Sequence, residues 1–319
     1  RMICTRLLLT AVGVALVHIF APRFTLVAMM LFVPDYWTIV ANLINRPMER
    51  AITRWYYNDA KRILRSMPHL KVIGITGSFG KTSTKHFLYR VLSEKYNVVM
   101  TPGNFNTTLG VVRTIREHVK PHHEVFIVEM GAKQVGDIRE ICDLVEPHMG
   151  IVTSVGEMHL ETFGSVESVA RTKFELIEAL PECGIGFVNI DSEAALAHLA
   201  NVRRNVVSYG VDNKDADYRA VNIRYEATQT VFDVEHGNEA DKGFVAHLLG
   251  RGNILNITAA LAVADAMGID SVRAHRAVRQ IEQVEHRLSM RRQGGITILD
   301  DAYNSNPTGA AMAIDVLKN

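Results

Sequence analysis

The sequence predicts an α/β protein whose core is a doubly wound, mostly parallel sheet of the P-loop type, entered after an apolar N-terminal segment. Three observations predict it. From Lys71 onward, short runs rich in valine and isoleucine alternate with amphipathic stretches of helical period. The first run, KVIGIT (71–76), breaks into Gly77-Ser78-Phe79-Gly80-Lys81-Thr82, the composition of a turn that holds phosphate at a helix start. The chain of 319 residues, 48% hydrophobic and 22% charged, has room for one large globular domain and a smaller piece.

The N-terminal segment comes first. Residues 7–33, LLLTAVGVALVHIFAPRFTLVAMMLFV, carry only His18 and Arg23 as clear polar interruptions. The run exceeds the ~20 residues that cross a bilayer as one helix. Residues 1–45 are therefore expected to form two membrane helices, about 7–21 and about 24–45, joined by a turn at Pro22-Arg23. A buried helical hairpin is the alternative. Arg1 and Arg6 before the runs, and Arg46, Arg50 and Arg54 after them, place both ends on the cytoplasmic side of the membrane by the positive-inside rule. Residues 46–69 alternate basic and apolar positions and read as an amphipathic linker helix, lying on the membrane or against the next domain. The chain opens on Arg1 and stops at Asn319, and reads as a piece of a longer protein.

The sheet follows. After KVIGIT, the strand-like runs are NVVMT, EVFIVEM, HMGIVTSV and GIGFVNI; between them lie the helical stretches TSTKHFLYRVLSEKY, GDIREICDLV and SVESVARTKFELIEAL. In such sheets ligands bind beyond the carboxyl ends of the strands. Backbone N–H groups from Gly77 to Lys81 would cradle phosphate oxygens, Lys81 would bridge the terminal phosphates, and the Thr82 hydroxyl would help hold Mg²⁺. Glu129, at the end of VFIV, is a strand-end carboxylate facing the same place. His159 and Lys173 are not singled out by chemistry alone, because a lone histidine is usually a satisfied polar group and a lone helix lysine a solvated charge. The net charge of +1 excludes an overall field for nucleic acid, and Cys4, Cys142 and Cys183 fit no disulfide or zinc spacing.

One detail departs from the general loop pattern G-x-x-x-x-G-K-[ST]: position 75 is Ile75, not glycine. Together the segments GITGSFGKT, TPGNFNTTLG (101–110), VEMGA (128–132), HLETFGSVESVARTKFEL (159–176), GRGNILNITAALA (250–262), HRL (286–288) and ILDDAYNSNP (298–307) resemble the Mur ligase family. These are ATP-dependent enzymes that join an amino acid or peptide to a carboxylate, and their loop variant T-G-[ST]-x-G-K-T accounts for Ile75. The resemblance spans roughly residues 70–319. It implies a central ATP-binding domain over 70–284 and the beginning of a truncated, Rossmann-like C-terminal ligase domain over 285–319.

The resemblance also implies roles. Thr76, Gly77, Ser78, Gly80, Lys81, Thr82 and Ser83 would bind ATP phosphates. Thr82, Glu129, His159 and Lys173 would serve Mg²⁺, Lys173 as a carbamylated lysine, and Lys81, Lys173 and His159 would be the catalytic set. Asn253 and Asn256 match the pair near the adenine, Arg287 a hinge arginine, Asp301 the residue near the ribose, and Asn304 and Asn306 a loop closing over the nucleotide. Asn104, Asn106, Thr107 and Thr108 would lie on the acceptor side. Within the family the match is to the branch that adds a D-alanyl-D-alanine dipeptide to a peptidoglycan precursor; the apolar N-terminus, a departure from the family, places the chain at a bacterial cell membrane and leaves a UDP-linked and a lipid-linked acceptor both open. A membrane-associated poly-glutamate ligase and a non-catalytic membrane scaffold are the other readings. The chain by itself is expected to bind ATP poorly and not to ligate.

Overall fold

A computed structural model describes residues 7–15, 34–158, 160–226, 228–294, 296–303, 309–310, 313–314 and 316. KVIGIT forms β1 (Lys71–Thr76), buried from its second residue to its last. Its β-branched side chains face helices on both sides, the condition under which a near-continuous apolar strand is stable. β2 (Val98–Met100), β3 (Val125–Glu129), β4 (Met149–Val152), β5 (Ile185–Asn189), β6 (Val206–Gly210), β7 (Tyr218–Tyr225), β8 (Thr230–His236) and β9 (Glu239–Ala246) complete one sheet of order β2-β3-β1-β4-β5-β6-β7-β8-β9. Pairing is parallel from β2 to β7 and antiparallel through β7-β8-β9. The expected mostly parallel sheet is present, and the antiparallel ribbon at its edge is an addition the sequence did not predict.

The helices between strands are α2 (Lys81–Leu92), α3 (Thr108–Glu117), α4 (Asp137–Val145), α5 (Leu160–Phe163), α6 (Val166–Glu178) and α7 (Glu193–Leu199). α8 (Arg251–Ala266) and α9 (Ser271–Arg279) follow the ribbon, and α8 packs along α2. Glycines at Gly74, Gly150 and Gly186 set how close α6 comes to the sheet. A Cβ at Gly74 or Gly150 would lie 2.6 or 2.8 Å from the Leu176 side chain, and one at Gly186 would lie 2.9 Å from Ile177. A stripe without side chains across three neighbouring strands thus lets α6 lie deep.

β1 lies between β3 on one side and β4 on the other, so the connection out of β1 runs to one side, toward β2, and the one out of β3 runs to the other, to β4. That crevice is the topological switch point where ligands of doubly wound sheets bind. The segment 285–303 contributes β10 (Ser289–Gln293) and β11 (Ile296–Asp300), a separate antiparallel pair.

The N-terminal expectations need correction. A single helix, α1 (Pro34–Arg65), runs through the boundary expected at residue 45 and carries Pro47 inside it. It contains Asp35, Arg46, Glu49, Arg50 and Arg54, so its uncharged stretch is far short of the ~20 residues a span requires. Among the described residues no helix is long and apolar enough to cross a membrane. The apolar run 16–33 lies outside the described residues. With no span to orient among the described residues, the positive-inside argument loses its object, and the placement at a bacterial cell membrane with a cytoplasmic catalytic domain falls with it. The chain divides by its contacts between Asp59 and Ala60. Within the larger unit the last turns of α1 dock on the end of α4: Lys61 Nζ donates to the Asp143 carbonyl (2.5 Å), and Lys61 and Arg65 pair with Glu146 at 3.2 and 3.3 Å.

Candidate functional site

The turn after β1 is fixed by the tail of β4. Ser78 N–H donates to the Ser154 carbonyl (2.8 Å) and Phe79 N–H to Ser154 Oγ (2.8 Å), while the Ser78 hydroxyl bonds the Gly156 backbone on both sides. Thr76 Oγ1 donates to the Met130 carbonyl (3.0 Å). Two of the N–H groups expected to cradle phosphate are therefore taken by the protein. Those of Gly80, Lys81 and Thr82 make no hydrogen bond to a described residue, and they lie at the positive end of α2, whose first turn has no acidic residue. Gly80 caps α2 at φ 81°, and a Cβ there would lie 2.7 Å from Asn256 Oδ1. At Gly77 a Cβ would lie 2.1 Å from Thr153 Oγ1. Neither position has room for a side chain.

Lys81 folds back on the turn, donating to the carbonyls of Gly77 (2.6 Å) and Ser78 (3.2 Å). Burial pulls its ammonium down to about 8, opposed by Glu129 and aided by Arg287. Ser83 is buried in the first turn of α2.

Glu129 is the centre of a buried cluster. Its Oε2 accepts from the Thr82 hydroxyl (3.1 Å) and pairs with Lys85 Nζ (3.0 Å); its Oε1 accepts from Asn106 Nδ2 (3.1 Å). Its N–H donates to Thr101 Oγ1 (3.1 Å). Burial pushes the carboxyl up, but the Lys85 and Lys81 charges and the Asn106 bond outweigh it and hold the acid below the usual range. Thr82 and Glu129 offer only oxygen donors, the set that suits Mg²⁺, an ion that keeps waters and takes one or two protein ligands beside substrate phosphates. The two side chains fit such an ion. Among the described residues no group of three or more His, Cys, Asp or Glu could hold a metal without such help.

Lys173 lies on α6 one turn before Leu176 and is 4% exposed. It makes no hydrogen bond to a described residue. Burial pulls its amine down to about 7; Lys81 lowers it further, and Asp137 and Glu175 oppose. Glu175 is itself occupied, accepting from the N–H groups of Gly136 and Arg139 at the start of α4 (both 2.9 Å). His159, Asn304 and Asn306 lie outside the described residues.

On the other side of α2, Asn256 Oδ1 accepts from Thr84 Oγ1 (3.1 Å), and buried Asn253 donates to the Leu249 carbonyl (2.9 Å). Arg287 stacks on Tyr303 at 4.4 Å from the ring centre, and its charge lowers Lys81, Lys85 and His86, so it is near the phosphate turn. Asp301 accepts from Leu288 N–H (3.1 Å), and burial raises its acid. Of the acceptor-side residues, Asn104 donates to the Tyr303 hydroxyl (2.9 Å), Thr107 caps α3, and Thr108 begins that helix. Asn106 serves Glu129, and its carbonyl accepts from Gly131 N–H (2.7 Å), so it supports the metal-side carboxylate instead of standing free. Between Thr82 and Arg287 opens a cleft of about 1310 Å³, walled by His86, Asn104, Arg279 and Tyr303 among others.

Lys85, Asn106 as a support, His86 and Tyr303 were not legible as site residues in the sequence. Only Lys85 left a signal, its i+4 spacing from Lys81 and i+3 from Thr82 on one helix face.

Comparison with known proteins places this geometry. The model of the Mur ligase middle domain matches residues 75–264. A UDP-N-acetylmuramoyl-tripeptide–D-alanyl-D-alanine ligase of Bacillus subtilis is 30% identical over 250 residues, 78% of this chain and 53% of the relative. A crystal structure of MurF from Acinetobacter baumannii superposes with a TM-score of 0.75 at 27% identity, covering 83% of this chain and 58% of that one. MurF from Thermotoga maritima in complex with ADP gives a TM-score of 0.73 at 29% identity, covering 83% and 61%. The chain spans about half the length of the curated relatives it matches. The phosphate turn, the switch-point crevice and the matched segment agree, and the chain belongs to the Mur ligase family through its middle domain.

Proposed function

We propose that this chain is the nucleotide-binding part of an ATP-dependent carboxylate–amine ligase that adds D-alanyl-D-alanine to a peptidoglycan precursor. The observation that carries the reading is the Gly77–Thr82 turn with its Thr82 hydroxyl on Glu129, at the switch point of a Mur ligase middle domain. The dipeptide is favoured over glutamate because relatives at 30% identity and above are named D-alanyl-D-alanine ligases.

A carboxylate is a poor electrophile, so its oxygen first attacks the γ-phosphorus of ATP; the bond to the β-phosphate oxygen breaks and ADP leaves. The incoming amine attacks the acyl phosphate carbon, phosphate departs, and the amine loses its proton as the amide forms. Such a reaction needs positioning and charge compensation more than covalent help from the protein. The N–H groups of Gly80 to Thr82 would bind phosphate oxygens. Lys81, already pointing along the turn, would swing from the Gly77 and Ser78 carbonyls to the terminal phosphates, and Arg287 would add charge from across the cleft. Mg²⁺, when bound, supplies charge neutralisation on the phosphates, and Thr82 and Glu129 would hold it. Asn253 and Asn256 would border the base and Asp301 the ribose; the wall bearing Asn104 would face the acceptor.

Lys173 completes the proposal. Carbamylation joins a neutral amine to CO₂, forming an N–C bond and releasing one proton, and turns the side chain into an anion. An ordinary lysine is almost wholly protonated at neutral pH, whereas burial leaves a far larger share of this one as free amine. The deciding experiment measures ADP release by a form of the protein spanning the full length of its Mur ligase relatives, given ATP, Mg²⁺ and the tripeptide precursor, with D-alanyl-D-alanine or glutamate as the amine. Release dependent on the dipeptide is expected; dependence on glutamate, or on neither, would overturn the assignment.

A further inference from the structure

Lys85 is 0% exposed, on a helix whose other buried positions include Phe87, Leu88, Val91 and Leu92, so burial alone did not call for a cation here. A buried ammonium is costly unless paired and fully bonded. Its partners are Glu129 Oε2 at 3.0 Å and the Gly103 carbonyl at 2.6 Å. The same Oε2 takes the Thr82 hydroxyl, so a divalent ion approaching between Thr82 and Glu129 meets an oxygen that already has a cation on it. Gly103 belongs to the loop 101–107, which is tied to Glu129 twice more, through Thr101 and Asn106.

We infer that Lys85 is a resident cation for the nucleotide site. It holds the Glu129 carboxylate aimed at the phosphate turn through the 3.0 Å contact to Oε2, and cedes that oxygen to the divalent ion that arrives with the nucleotide. Because the same ammonium bonds the Gly103 carbonyl, the exchange links metal occupancy to the acceptor-side loop. Lys85 is thus a positioning residue; it touches neither phosphate nor acceptor. The inference rests on the nucleotide site proposed above and adds to it an internal competitor for the metal.

The test follows a fluorescent, non-hydrolysable ATP analogue binding, as Mg²⁺ is titrated, to the protein at the full length of its Mur ligase relatives. In Lys85→Met the competitor is gone and the carboxylate is left uncompensated. Its half-saturating Mg²⁺ concentration should fall at least about threefold below wild type, by Coulomb's law for removal of a neighbouring like charge. Its melting temperature without ligand should drop and be recovered by Mg²⁺ and analogue together to a greater extent than in wild type. Lys85→Arg, which keeps the charge, should stay near wild type in Mg²⁺ demand. A Mg²⁺ demand in Lys85→Met equal to or above wild type overturns the inference, since a purely structural lysine would lower the melting temperature and leave that demand alone. Should Lys85→Met not fold, ¹⁵N-lysine spectra of the wild type decide: the Lys85 ammonium signal must move when Mg²⁺ is added to analogue-bound protein, and a stationary signal overturns the exchange. A wild type that binds no analogue sinks the ligase reading as well, which separates the two failures.

Discussion

Replacing Lys173 by methionine should make the protein more stable while abolishing ligation. Methionine keeps the unbranched chain and removes the ammonium from a site 4% exposed. An unfolded lysine titrates near 10.5 and the folded Lys173 at about 7. Between these values the unfolded chain holds a proton that the folded chain has released. Stability therefore rises with pH across the window, and the penalty stands at full size below its lower edge. The gap between the folded and unfolded values corresponds to about 5 kcal/mol at that limit, with about 2 kcal/mol still remaining near pH 9. Urea unfolding in CO₂-free buffer should show Lys173→Met more stable than wild type near pH 6.5, with the difference narrowing by about 2 to 3 kcal/mol by pH 9. Added bicarbonate should stabilise the wild type and leave the variant unmoved. A difference that is constant with pH, or that widens, would refute the claim that a buried, readily neutralised amine sits there.

The other expectations concern the turn and its surroundings. Gly80→Ala places a Cβ at φ 81° and 2.7 Å from Asn256 Oδ1, so it should cost about 1–2 kcal/mol of stability and weaken binding of the ATP analogue in a fluorescence titration. Gly77→Ala, with Thr153 Oγ1 at 2.1 Å, should be the more damaging of the two by both measures. Glu129→Gln strands Lys85 without an anion; chemical denaturation should show a loss of about 3–5 kcal/mol, and the Mg²⁺ requirement for nucleotide binding should rise. Arg287→Ala removes a charge near the turn and a cation stacked on Tyr303, and should raise the Kd for the ATP analogue with little change in melting temperature.

The central part of the fold was readable because its signals are local. β1, the glycine turn and α2 follow one another in sequence, and each has a composition that permits little else. The ribbon β7-β8-β9 was missed because its strands carry charged and exposed residues, and its alternation is interrupted by register shifts near Val221 and Phe232, where Asn222 takes a positive φ. The support of Glu129 was unreadable for another reason: Lys85 and Asn106 reach it from 44 and 23 positions away, and nothing in either segment announces the other. Among the described residues the membrane expectation failed because hydropathy was summed up to residue 45, whereas the helix Pro34–Arg65 continues past it into charged turns.

The bare strip at Gly74, Gly150 and Gly186 sets the depth at which the Lys173 amine stands. A methyl group added at any of these three points would lift α6 away from the sheet and carry that amine toward water, restoring its proton. If Lys173 takes up CO₂ as proposed, substitutions in the middle of the sheet, remote from every phosphate contact, should present as defects in that uptake, and an inventory of inactivating changes in this protein would include residues that no ligand ever meets.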